Sequence, residues 1–150
     1  MTPAQKQRAR ALLSEDHLEG GELAELSVWR YPPSGLWVRW ILVLSGDRYW
    51  VRRAVAQATG DDVVVSTDEV HLPTASIWPL FSGVSQMTLP LIPLEDDELP
   101  TPDLAEIGIQ CGSLRLAWAD GRLSGLWAPF ADVQKRLVER FEQQLPPTRR

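Results

Sequence analysis

The chain has one cysteine, Cys111, and two histidines, His17 and His71, among 150 residues. A lone thiol forms no internal disulfide and supports no cysteine-based structural zinc site. No run of about 18 apolar residues is present to span a bilayer. The opening residues, Met1 to Leu13, lack the charged-then-apolar order and small-residue cleavage site of a secretory signal, so the expectation is a cytoplasmic protein with no membrane partner. Also missing are a phosphate-cradling glycine loop, a paired-histidine zinc motif, a G-x-S-x-G elbow and a dinucleotide fingerprint. No cofactor or metal is called for, and an enzyme would have to be built from scattered carboxylates and arginines. Lys plus Arg is 15 against 20 for Asp plus Glu, and a net charge of -5 makes nucleic acid a poor default partner.

What is present suits one soluble domain spanning residues 1-150, because 44% hydrophobic and 23% charged residues are close to globular averages. Its organising stretch is Leu36 to Ala56, which reads as two apolar strands folded back at Ser45-Gly46-Asp47-Arg48. With Gly46 and Asp47 as turn residues, Leu44 faces Tyr49, Leu42 faces Val51, Trp40 faces Arg53 and Val38 faces Val55. The opposite face carries Trp37, Arg39, Ile41 and Val43, then Trp50, Arg52, Ala54 and Ala56. Both faces therefore want cover. Residues 49–59 also fall at helical spacing, and the strand is preferred because Tyr49, Trp50 and Val51 follow directly on a turn signal.

Charge is segregated along the chain. Arg30, Arg39, Arg48, Arg52 and Arg53 oppose Asp47 alone between Trp29 and Arg53, whereas Glu95, Asp96, Asp97, Glu98, Asp103 and Glu106 stand without a basic residue. The acidic run Glu95, Asp96, Asp97, Glu98 reads as a solvated loop, or as a steering loop for a basic partner.

Thr2-Pro3-Ala4-Gln5 has the form of a capping box, so a helix starts there, with Ala4, Ala11, Leu12 and Leu13 as its apolar stripe. Leu23 to Tyr31 is a first strand, Pro32-Pro33-Ser34-Gly35 reverses the chain, and Val63 to Val65 is a short fourth strand after the Gly60 turn. Ser66-Thr67-Asp68-Glu69 could cap a short helix, within an irregular region that Pro73 and Pro79 keep from forming a long one. Val84 to Leu91 offers a further strand, and Ala105 to Trp118 reads as a hairpin turning at Cys111-Gly112-Ser113. Pro129 opens a helix with Phe130, Val133, Leu137, Phe141 and Leu145 on one face. The fold class is α+β: a mainly antiparallel meander sheet with an N-terminal helix and a C-terminal amphipathic helix packed on it.

The strand ending L-x-L-x-W, then a loop and a Trp two before the helix-opening Pro, here Leu114 to Trp118 and Trp127 to Leu145, resembles small uncharacterised bacterial α+β proteins. The resemblance covers about a quarter of the chain, implies packing and brings no catalytic or cofactor residues.

Three functions are open. The first is a non-enzymatic protein-interaction or adaptor module, whose face of Trp37, Arg39, Trp50 and Arg52 receives a protein partner or a second copy in a homodimer. An immunity-type inhibitor of a basic partner is its variant. The same four residues could instead form an internal layer beneath the C-terminal helix or the Trp78 segment. The second is a small anionic-ligand-binding protein, with arginines beside aromatic walls. The third is an enzyme using Asp68, Glu69 and His71. Solvation accounts better for His17, and a buried structural thiol for Cys111.

Overall fold

Alternation of period two from Glu22 to Leu72 produces a four-stranded antiparallel meander of β1 (Glu22–Tyr31), β2 (Trp37–Ser45), β3 (Arg48–Thr59) and β4 (Asp62–Leu72). This is seen in a computed structural model that describes residues 1–14, 18–85, 104–121, 123 and 125–147. Two-residue turns join β2 to β3 and β3 to β4, with Gly46 at φ 61° and Gly60 at φ 62°, a left-handed conformation in which a side chain would be strained. The β2–β3 register pairs Leu44 with Tyr49, Leu42 with Val51, Trp40 with Arg53 and Val38 with Val55. Residues 49–59 are strand, because β3 is central and bonded on both sides.

The chain then crosses over. After α2 (Trp78–Ser85) it returns as the hairpin β5 (Glu106–Cys111) and β6 (Leu114–Ala119), and β5 joins the free side of β1. The six-stranded sheet has the order β4-β3-β2-β1-β5-β6. One face packs Leu26, Val28, Trp40, Leu42, Val51, Ile107, Ile109 and Trp118 against the Phe130, Val133, Leu137 and Phe141 stripe of α3 (Ala128–Gln144). Each of these fully buried large side chains contributes roughly 1.5–3 kcal/mol through area removed from water.

The second face is covered by α1 (Pro3–Ser14), not by the C-terminal helix or the Trp78 segment. The capping box forms: the Thr2 N–H donates to Gln5 Oε1 at 2.8 Å and the Gln5 N–H to Thr2 Oγ1 at 3.2 Å. The buried stripe is Gln5, Ala9 and Leu13, spaced by four, rather than Ala4, Ala11, Leu12 and Leu13. Gln5 belongs inside because its Nε2 donates to the Gly60 carbonyl at 2.8 Å, tying the helix to the β3–β4 turn.

Two expected elements take other forms. Ser66 to Leu72 continues β4, since Asp68 and Glu69 lie opposite Arg53 and Arg52 and pair with them. Val84 and Ser85 end α2, whose Pro79 sits in the first turn where a missing N–H costs nothing. Residues 86–91, the acidic run Glu95 to Glu98, and His17 lie outside the described residues.

Candidate functional site

The residues singled out on the second face are mostly internal. Trp37, Arg39 and Arg52 are 4%, 5% and 8% exposed, and Trp50 is half-buried. Arg39 donates from one terminal nitrogen to the Leu13 carbonyl at 2.7 Å and from the other to Ser27 Oγ at 3.1 Å. Its cation thus sits at the carboxyl end of α1, where the helix dipole favours positive charge. The Trp37 indole donates to the Pro32 carbonyl at 2.9 Å and stacks on Tyr31 with ring centroids 4.7 Å apart. Trp50 meets His71 edge-on at 5.4 Å. These side chains dock a helix and tie strands together, and they do not form an open Trp/Arg face.

Arg52 forks onto Glu22 at 3.1 and 3.2 Å while its Nε and another nitrogen reach Glu69 at 3.0 and 2.9 Å. Hydrogen bonding from Arg52, then from the Glu19 backbone, holds the Glu22 carboxyl below its ordinary pKa of 4.5. A depressed acid stabilises the fold above its unfolded pKa and loses that contribution as pH falls through the folded value. Acid unfolding of Arg52→Met followed by circular dichroism should therefore lack part of the stability that the native chain loses below pH 4.5.

Asp68, Glu69 and His71 do not converge. Alternation puts Asp68 on the α3 side of the sheet and Glu69 and His71 on the other. Arg53 takes Asp68 at 2.7 Å, and Glu69 and His71 are exposed on the strand. Among the described residues, no group of three His, Cys, Asp or Glu side chains could hold a metal ion. Burial, then the Glu25 charge, pushes the Cys111 thiol above its ordinary pKa, which disfavours the nucleophilic thiolate.

Cavities on the described surface include two that bear on ligand binding. One of about 530 Å³ lies between the β1–β5–β6 end and α3, with Arg30, Asp120, Asp132, Lys135 and Glu139 in its lining, and the mixed signs favour no ligand charge. The other, about 370 Å³, is a notch between α1 and the β1–β2 turn lined by Lys6, Arg10, Tyr31, Pro33, Trp37 and Glu106 among others. Arg10 lies 5.8 Å over the Trp37 ring and pairs with Glu106, whose other oxygen accepts from the Trp29 indole at 3.1 Å. Desolvation raises the Tyr31 phenol to about 12, so it stays neutral in the notch wall.

The feature that sequence reasoning missed is the length of β4. It is the last strand of the sheet, eleven residues long, and among the described residues nothing pairs with its outer edge. Because Gly60 and Asp61 form a two-residue turn, the flanking pair Thr59 and Asp62 is the closely bonded kind. The backbone groups of Val65, Thr67, Glu69 and His71 consequently point away from β3. The Val63 N–H, of the same parity, donates to the Asp62 carboxylate at 2.7 Å rather than to the ladder.

Open edges are normally guarded by lysine, proline, a bulge or charge. From Asp62 to Leu72 there is neither lysine nor proline, and the β3–β4 register runs without a shift. The two acids near its middle face strand neighbours, Asp68 bound by Arg53 and Glu69 by Arg52. Exposed beside the paired acids are Val64, at 53%, with Ser66, Thr67 and His71. The periodicity of Val63 to Leu72 was the available signal, obscured by Ser66-Thr67-Asp68-Glu69, whose local pattern is that of a helix cap.

No protein-family model, curated protein or solved structure matches this chain.

Proposed function

We propose that this chain is a non-enzymatic protein-interaction module that recruits an extended strand to the open edge of β4. The observation that carries this reading is an eleven-residue edge strand whose acids Asp62, Asp68 and Glu69 are paired with Arg8, Arg53 and Arg52, and whose outward backbone groups meet no partner strand among the described residues. Strand addition uses such groups for affinity and alternate side chains for selectivity. Thr67→Pro removes one outward donor while leaving the β3–β4 ladder intact, since proline is tolerated on the open side of an edge. Proteins captured on the native chain should be lost on Thr67→Pro at unchanged melting temperature. Identical capture by both would remove the reading.

The notch supports a second reading, the binding of a small anion. Lys6 and Arg10 line one side, with Glu106 the one acid against them among the described residues, and Tyr31 and Trp37 supply aromatic wall. A carboxylate or phosphate panel should raise the melting temperature, and Arg10→Ala with Lys6→Ala should abolish the shift. Absence of any shift in the native chain would count against an anion site there.

A further inference from the structure

We infer that the strand seated on the β4 edge is β4 of a second copy, paired antiparallel about a two-fold axis at Thr67. The inference rests on the edge being a docking site at all and names its occupant.

The sequence of β4 is self-complementary in that register. Side chains directly opposite on an antiparallel pair share a face, so a two-fold axis through Thr67 sets Thr67 against Thr67, Ser66 against Asp68, Val65 against Glu69 and Val64 against Val70. Asp62 and Leu72, the ends of the strand, also meet, so the whole strand is used. No two acids oppose each other, and the exposed Val64 gains an apolar neighbour. Moving the axis to Asp68 places aspartate on aspartate, which is destabilising. Moving it to Ser66 sets Val64 against Asp68. Moving it to Val65 confronts Asp62 with Asp68 and shortens the overlap.

The parity also fits. Thr67 is one of the residues whose N–H and C=O point outward, so the axis falls on a pair that exchanges both hydrogen bonds. Val65 and Glu69 have the same parity and continue the ladder on either side. A continuous sheet would run through both copies, with α1 of each on the same side.

The contact is one strand wide. Eleven residues extend about 36 Å at about 3.3 Å each, and such a contact sits at the small end of specific interfaces, below about 1,200 Å². A reversible dimer follows, its population rising with concentration.

Sedimentation velocity across a concentration series tests this on the full chain. The native protein should move from 16.9 kDa to twice that mass as concentration rises. Thr67→Pro should remain monomeric with an unchanged far-ultraviolet spectrum and melting temperature. Thr67→Lys and Thr67→Glu should each dimerise more weakly than the native chain, and an equimolar mixture should recover the dimer, because Lys then faces Glu across the axis. A dimer that persists in Thr67→Pro, or single-charge variants that associate no less than their mixture, would overturn the inference. So would a native chain that stays monomeric at every concentration. If that monomer still loses captured proteins on Thr67→Pro, the edge serves a different protein and only the occupant is wrong. If capture is also unchanged, the edge reading fails with it.

Discussion

Gly108→Val should lower the melting temperature by about 10 °C, the largest shift expected from any single change in the sheet. Gly108 lies on β5 directly opposite Trp29 on β1. A Cβ there would overlap Trp29 Cζ2 and Cε2 and come within 2.7 Å of the Leu116 carbonyl oxygen. The indole lies across the glycine backbone, and Arg115 covers it from outside at 5.3 Å from the ring centroid. Trp29 is 2% exposed, so it has nowhere to move without losing its bond to Glu106. Overpacking typically costs about 1–3 kcal/mol, and losing the indole–carboxylate bond adds about 1 kcal/mol more. For a chain of this size each kcal/mol corresponds to roughly 2–4 °C. Thermal unfolding of the double variant Gly108→Val with Trp29→Leu checks the cause. If the clash is with the indole, the pair should be less destabilised than the sum of the two single changes. Strict additivity would place the cost on the Leu116 carbonyl instead.

Trp29 and Gly108 also show where sequence reading stops. The β2–β3 hairpin was legible because its turn residues and alternation are local, and all four pairs expected across it are formed. The helix of Phe130 to Phe141 was legible for the same reason. That β5 would insert beside β1 was not, although a glycine in an otherwise apolar strand is a signal that something bulky approaches. Nor was β4 beyond Val65, because the pairing of Asp68 and Glu69 with Arg53 and Arg52 depends on which strand lies alongside. The Trp37 and Arg39 face was correctly seen to want cover. Its cover came from α1 through Gln5, a polar residue that hydrophobic patterning discounts and that a carbonyl fifty-five positions away satisfies. The candidate edge emerges only once this sheet order is known, since an edge is a property of topology and not of any residue.

The same long-range pairing creates the second large effect, at Glu142. Arg53 is fully buried on the α3 face, and it donates to Glu142 at 2.8 Å, to Asp68 at 2.7 Å and to the Pro146 carbonyl at 2.8 Å. Glu142 Oε1 also accepts from the Trp40 indole at 2.6 Å. One carboxylate from the last turns of α3 thus satisfies two donors rooted in adjacent strands, fastening the end of the helix to the sheet. Removing one partner of a buried charge pair generally costs about 3–5 kcal/mol, because the other charge stays out of water. Glu142 and Asp68 have side chains 36% and 37% exposed, so water can reach either carboxylate if the arginine is removed. The arginine has no such access. Glu142→Leu removes one of the three acceptors of Arg53 and the acceptor of the Trp40 indole, and should destabilise by about 3 kcal/mol, whereas Arg53→Met should cost less, about 2 kcal/mol after allowing for solvent screening of the acids. Urea unfolding of the two variants decides the order. If Arg53→Met proved the more damaging, the three bonds that its guanidinium makes to Asp68, Glu142 and the Pro146 carbonyl would outweigh the two that the Glu142 carboxylate accepts.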